Sequence, residues 1–555
     1  MNPNASAEFA EHRIPMRDGT RLQAFLLLPA GAGPFPGLLA RCMYGTEMVR
    51  EKARKFAARG YAVVLQNVRG RLGSEGQLTG DARSPEDGYD TLEWMSRQAW
   101  CNGRIGTFGG SALASVQAAT AFLAHPAHRA MCPQVLPYGL MSRLGGAFMF
   151  SQIAQWLYFS QSGAELKPYD AVDWMPHLHR LPLTSVLDEL GGCVELYRER
   201  VTRIFDDYFQ LDPPEAFRRL NTPNLMVTGW YDHCATGPVD FFMLTRRHGT
   251  QAQQARTHLV VGPWDHACDT TSEPHEYDFG PEANRNHLAA ELDFFARHLR
   301  GDASLAPLPP ARIFVMGRNA WRDEAEWPPR RTVETKFYLH SDGEARGTRR
   351  HGALSTVAPG GERPDPFVYD PAHPVPTLGG ANSHPARALP MRRGPRDQRL
   401  VLYRDDVLVY ASAPLAEPLE VTGMLKLVLY VSSSARDTDF TAKLMDLRPD
   451  GNARLLSDGI VRARYRNGTR KPEFLAPGEV VRCEIDLWFT SNEFQAGHRI
   501  GLAVSSSNFP RFGRNLNTGG DNERDAEFVR AEQLVYHDAA RASHLLLPVI
   551  PRGGS

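Results

Sequence analysis

The feature that most constrains the fold is a regular alternation of strand-like and helix-like runs over roughly the first 300 residues, which stops near residue 311. Residues 21–28, 37–41, 61–67 and 104–108 read as strands. Residues 48–59, ending at Gly60, 86–98 and 112–124 read as helices. Alternation of this kind predicts a mostly parallel sheet covered by helices. The pattern breaks between about 140 and 220, where helix-length segments with Trp156 and Trp174 carry no clear strands. Strand signals return at 224–228 and 258–262, and 288–299 reads as a closing helix. This predicts a helical cap inserted between sheet strands.

After 311 the texture is different. Short runs rich in Val, Ile, Leu, Phe and Tyr, at 312–316, 335–340, 425–431, 440–447, 480–489 and 498–505, are separated by Gly, Pro, Asn and Asp. That is the pattern of an all-β sandwich or jelly roll. Residues 356–398, dense in Pro, Gly and Arg, read as a long surface loop. The expected division is 1–139 with 221–310, then 140–220, then 311–555.

Composition narrows the function. The 555 residues hold 63 Lys and Arg against 63 Asp and Glu, so no basic surplus points to nucleic acid or an anionic membrane. A hydrophobic share of 42% excludes a disordered chain. The longest apolar stretches, such as 24–29 and 545–550, fall far short of the roughly 20 residues that span a bilayer. Residues 1–13 are polar and lack a secretory h-region. The seven scattered cysteines include no CxxC pair. A reducing cytoplasm is the expected compartment.

The most informative segment is 104–115, in which a strand runs through Gly109-Gly110-Ser111 straight into a helix. A nucleophile elbow has this form, with small residues flanking a serine pushed out at the sheet's carboxyl edge. The amide of Ala112, at the helix N-terminus, can stabilise an oxyanion. Leu113 stands where the GxSxG pattern has its second glycine. Asp232 follows the 224–228 strand through Gly229-Trp230-Tyr231, and His266 follows the 258–262 strand through Pro263-Trp264-Asp265. Ser111, Asp232 and His266 thus fall just past strand ends, in the chain order of α/β-hydrolases. The chemistry needs all three. A serine hydroxyl is a poor nucleophile until an imidazole takes its proton, and the imidazole needs an acid to fix its tautomer.

Plainer readings compete. Asp232 could cap a helix starting near Thr236. Asp265, His266 and Asp269 could form a metal cluster, although such groupings are commoner as turns and caps. Trp156 and Trp174 are more often packing than pocket wall.

Beyond these residues, the chain resembles the cocaine-esterase-like (CocE/NonD) acyl hydrolases, relatives of the X-Pro dipeptidyl-peptidases, α-amino acid ester hydrolases and cephalosporin acylases. The resemblance rests on Pro15 to Leu22, Tyr44-Gly45, Val68 to Gly76, Trp94 to Gly103 and the serine elbow. It continues through Gly229 to Asp232, Gly262 to His266, Phe314 to Gly317, Trp321 to Glu324, Asp437 to Phe440 and Ser506 to Phe512. It implies an α/β hydrolase core with an inserted helical cap and a C-terminal all-β jelly-roll domain. Ser111 becomes the acylated nucleophile, His266 the general base and acid, and Asp232 its orienting carboxylate. Tyr44 becomes an oxyanion donor beside the Ala112 amide. The sequence departs from the family pattern at Ala112 (usually Tyr), Ala114 (Gly), Met43 (Pro) and Asn67 (Asp). Ala112 opens space beside the nucleophile.

The expected activity is hydrolysis of a small-molecule carboxylic ester or amide through an acyl-enzyme, with no metal or organic cofactor. Phe150, Trp156 and Trp174 are the expected apolar wall of the acyl pocket. The resemblance also allows a homodimer. Three rivals remain. A dipeptidyl-peptidase or amino-ester hydrolase would grip a substrate ammonium with acids such as Asp265, Glu165, Asp170 or Asp173. An acyltransferase would use the same triad. A binding protein led by its jelly roll would carry a vestigial core.

Overall fold

The computed structural model describes residues 8–78, 84–139, 142–160, 167–203, 213–270, 276–347, 351–382 and 392–552. The first sheet is built from β1 (Ala10–Pro15), β2 (Arg21–Leu27), β3 (Phe35–Cys42), β4 (Ala62–Asn67), β5 (Cys101–Gly110) and β6 (His128–Gln134). A separate hairpin, β7 (Arg143–Leu144) and β8 (Ala147–Phe148), precedes the rest of the sheet: β9 (Asn224–Gly229), β10 (Thr257–Gly262), β11 (Ala311–Val315) and β12 (Ala320–Glu324). The sheet order is β1-β2-β4-β3-β5-β6-β9-β10-β11-β12. From β4 to β11 neighbours are parallel; β1, β2 and β12 run antiparallel at the edges.

Helices α1 (Glu47–Ala57), α2 (Pro85–Ser96) and α3 (Ala112–Ala121) follow β3, β4 and β5. All six residues of β4 are buried, as a strand covered on both faces requires. Helix α1 turns Ala53, Phe56 and Ala57 inward, and Phe56 meets Phe108 of β5 with ring centroids 4.9 Å apart. Each such buried ring contributes about 1.5–3 kcal/mol. Gly60, with φ of +81°, takes the left-handed conformation that lets the chain leave α1 and enter β4.

Between β6 and β9 lie α4 (Phe150–Phe159), α5 (Trp174–Leu178), α6 (Val194–Thr202) and α7 (Pro214–Arg219). Next come α8 (Thr236–His248) and α9 (Gln251–Gln254), and α10 (His287–Phe295) follows β10. The predicted boundary at 310 falls inside this sheet, because β11 pairs with β10 and β12 with β11. Pairing across the 300–310 connector leaves no periodic trace in the sequence. Among the described residues, no helix is long and apolar enough to cross a membrane.

The C-terminal region is sheet-rich. Strand Leu419–Ser433 pairs antiparallel with Val481–Phe494, and Asp439–Leu447 lies between Ala453–Arg462 and Arg499–Ser505. Val481, Cys483, Ile485 and Leu487 point into the core while Arg482, Glu484 and Asp486 alternate outward. The stretch predicted as one long loop contains a strand, Asp365–Tyr369, and a bridge between Gly380 and Gly394; residues 383–391 lie outside the described residues.

Candidate active site

The sheet's strand order reverses between β3 and β5: the chain passes from β3 outward to β4, then returns to β5 on the other side. Open α/β sheets bind ligands at such a switch point, beyond the carboxyl ends of the strands. Tyr44 follows β3 and Ser111 follows β5, so they flank it.

Ser111 has φ of 57° and ψ of −127°, a conformation that non-glycine residues rarely adopt. The strand-to-helix turn forces it. The Ser111 amide donates to the Gln134 carbonyl of β6 at 2.9 Å, while the Ser111 carbonyl accepts from Ala114 at 2.8 Å. Ala112 is the first residue of α3, where an amide has no acceptor within the helix. Gly109 has φ of +127°, and a Cβ there would lie 2.7 Å from Leu113 Cβ. A single glycine therefore lets a leucine occupy the position where the expected pattern has a second glycine.

Asp232 and His266 come from the turns after β9 and β10, adjacent parallel strands in register from Asn224 to Gly229. His266 Nδ1 lies 2.8 Å from Asp232 Oδ1. A carboxylate accepts, so in this pair the ring N–H is the one on Nδ1 and Nε2 is the nitrogen turned away from Asp232. Asp232 is fully buried, with Oδ1 also accepting from the Cys234 amide at 3.0 Å and Oδ2 from the Thr228 hydroxyl at 2.8 Å. The His266 side chain is 20% exposed, and Ser111 is partly exposed. The helix-capping reading of Asp232 does not hold: α8 is capped at Ala235 with no side-chain bond.

The Tyr44 oxygen accepts from Trp156 Nε1–H of α4 at 2.8 Å. Burial pushes the phenol above its ordinary value, so it is neutral at pH 7. Arg71, fully buried, donates from Nε to the Met43 carbonyl at 2.8 Å and so holds the segment that carries Tyr44. The Val68-to-Arg71 motif thereby acquires a physical role.

The three aromatic residues predicted as pocket wall separate. Trp156 reaches Tyr44. Phe150 is buried between Phe148 and Phe509, and Trp174 packs edge-on against Tyr158 with centroids 5.2 Å apart. Instead, Met43, Val68 and Val116 form an apolar cluster against which Tyr44, Leu78, Ala112 and Trp156 pack. Sequence reading missed Thr228, Gln134 and Arg71 as supports. Their partners are distant in the chain, or in Thr228's case hidden within a strand.

The metal-cluster reading of Asp265, His266 and Asp269 changes as well. His266 Nδ1 faces Asp232, and Asp265 Oδ2 lies 3.1 Å from Arg393 Nε. The ligand-type atoms that do converge belong to Asp232, His233, Cys234 and His266, all within 4.8 Å of one another. His233 Nδ1 is 3.5 Å from Asp232 Oδ1, and the His233 and His266 rings lie 4.1 Å apart. Burial pushes the Cys234 thiol well above its ordinary value, and Asp232 is already engaged by three donors, a bonding pattern that suits a fixed acid–imidazole pair. Of the acids considered for ammonium binding, Asp265 faces Arg393, Asp170 and Asp173 are exposed, and Glu165 lies outside the described residues.

Residues 18–268 match the X-Pro dipeptidyl-peptidase (S15) family, and residues 304–546 match the X-Pro dipeptidyl-peptidase C-terminal non-catalytic domain. The chain is 37% identical to cocaine esterase of Rhodococcus sp. (strain MB1 Bresler), over 97% of this chain and 98% of that one. An aminopeptidase from a marine sediment Thaumarchaeota archaeon superposes with a TM-score of 0.85 at 26% identity, covering 99% and 98% of the two chains. An α-amino acid ester hydrolase superposes with 0.83 at 25% identity and the same coverage. The chain belongs to the cocaine-esterase-like (CocE/NonD) family and is a serine hydrolase.

Proposed function

We propose that this protein hydrolyses a carboxylic ester with an apolar acyl group through a covalent acyl-enzyme on Ser111. The observation that carries the reading is the 2.8 Å bond from His266 to buried Asp232, at the same carboxyl edge of the sheet on which β5 presents Ser111. Ser111 Oγ attacks the ester carbonyl as His266 Nε2 takes its proton. The Tyr44 hydroxyl and the Ala112 amide donate to the oxyanion. Trp156 N–H occupies a lone pair on the Tyr44 oxygen and leaves the phenol's own proton free to donate. The intermediate collapses, and His266 returns the proton to the leaving alkoxide. Water then attacks the acyl carbonyl, giving up a proton to His266, and the carboxylic acid leaves with Ser111 restored.

In this reading the helices between β6 and β9 cap the site, and the C-terminal sheets form a jelly roll. The apolar cluster around Ala112 favours an apolar acyl group, and the pairing of Asp265 with Arg393 disfavours a requirement for a free α-amino group. The test compares propionyl, benzoyl and α-aminoacyl 4-nitrophenyl esters on wild-type and Ser111→Ala protein. A loss of about 10⁴-fold or more in kcat on Ser111→Ala, with the fold intact, is expected. Near-normal turnover by that variant would refute the mechanism. A strict need for the α-amino group would move the assignment to an amino-ester hydrolase.

A further inference from the structure

We infer that the C-terminal domain sets the position of His266, through Arg393 and Arg396. These two arginines of one loop bind acids on either side of the histidine in the first domain. Arg393 Nε lies 3.1 Å from Asp265 Oδ2, with the side chains 14% and 1% exposed. Arg396 Nη1 lies 3.5 Å from Glu276 Oε1, and the neighbouring Asp397 amide donates to Glu276 Oε2 at 2.9 Å.

The loop that carries the arginines is itself fixed. Gly380 and Gly394 exchange backbone bonds of 2.8 and 3.1 Å. The Arg396 carbonyl accepts from the Leu455 amide and from Gln398 Nε2, both at 3.1 Å. The acceptor side is equally constrained. Asp265 Oδ1 accepts from the Ala267 amide at 2.8 Å, and its carbonyl accepts from the Cys268 amide at 3.1 Å. Asp265 therefore closes the turn on which His266 stands. A second contact acts on the other turn: Tyr231, next to Asp232, donates its hydroxyl to the Leu455 carbonyl at 3.1 Å.

The physical consequence follows from burial. A carboxylate 1% exposed needs a partner of opposite charge. Remove the guanidinium, and Asp265 must find water or a new donor, which reshapes the turn. His266 then leaves the narrow range of orientations in which, on the proposed mechanism, Nε2 serves Ser111. Arg393 touches no reacting atom, so it is a positioning residue. The matched family describes this domain as non-catalytic; on this inference it makes no bond in the reaction but holds the base in place.

The inference rests on the proposed role of His266, and the experiment separates the two. Turnover of 4-nitrophenyl acetate is measured for wild type, Ser111→Ala, His266→Ala, Arg393→Gln and Arg393→Lys. Arg393→Gln should lower kcat by about tenfold or more with KM within about twofold, because a displaced base slows chemistry rather than binding. Arg393→Lys, which keeps the charge but carries it as a compact ammonium on a different stem, should lose about threefold in kcat. If Arg393→Gln does not fold, Asp265→Asn/Arg393→Gln removes the unpaired charge and should still show a depressed kcat. If that too fails, Arg393→Lys alone decides. Wild-type kcat in a folded Arg393→Gln, in the folded double variant, or in Arg393→Lys where it alone is read, overturns the inference. Activity in Ser111→Ala or His266→Ala overturns the underlying reading instead.

Discussion

Two fully buried carboxylates in different halves of the molecule have opposite surroundings. Asp232, in the first domain, bonds a partly exposed imidazole at 2.8 Å. Asp439, in the C-terminal domain, bonds Arg462 Nε at 3.0 Å and the Asn515 amide at 2.8 Å. Burial raises the Asp439 carboxyl above its ordinary value, and Arg462 offsets part of that effect. Nearby, Asp437 pairs with Arg464 at 2.7 Å. Guanidinium groups do not titrate at working pH, so these pairs are fixed struts. An imidazole can take up and release a proton, so on the proposed mechanism a buried acid beside one serves a proton relay. The difference lies in the partner and in its access to solvent rather than in the carboxylate.

The comparison can be broken most sharply at Asp232. Asp232→Asn should lower kcat by about 10⁴-fold with little change in thermal midpoint, since it permits the wrong imidazole tautomer. Steady-state kinetics beside calorimetry would check this, and an equal loss of stability would erase the contrast. Arg462→Met should do the converse. Leaving Asp439 unpaired should cost about 3–5 kcal/mol in urea unfolding, while kcat per folded molecule stays within about twofold. Tyr44→Phe removes the proposed oxyanion donor and should cost about 10²–10³-fold in kcat, with Trp156→Phe losing only about fivefold.

The smallest effect concerns Asp240 of α8, which burial and the nearby Asp486 push up to about 7. The unfolded chain releases this proton near the ordinary value of 3.8, whereas the folded chain holds it to about 7. Stability should therefore fall as pH rises across that window and level off above it. Asp240→Asn should remove the slope, measured by urea titration at pH 5 and pH 8.

The sequence made Ser111, Asp232 and His266 legible because each ends an apolar strand through a short turn containing glycine or proline. Tyr44 carries no such mark, and only the resemblance singled it out. Strand β6 was missed: His-Arg-Ala-Met-Cys-Pro-Gln lacks β-branched residues and contains a proline. Trp156 drew notice as an aromatic, but its indole bond to Tyr44 joins residues 112 positions apart. Arg393 lay in a stretch read as featureless loop, and its role emerges only when two domains meet. Local pattern reports where a strand stops; it is silent about what distant side chain arrives there.

The central claim is that Ser111 is the nucleophile, activated on the sheet edge by the His266–Asp232 pair. Its most direct test is reaction with a fluorophosphonate, followed by intact mass, peptide mapping and residual activity on the same sample. The account predicts one adduct per chain, on Ser111, rising in step with lost esterase activity and absent from His266→Ala on the same timescale. Full esterase activity after stoichiometric labelling of Ser111, or complete inactivation with the adduct on another residue, would contradict it.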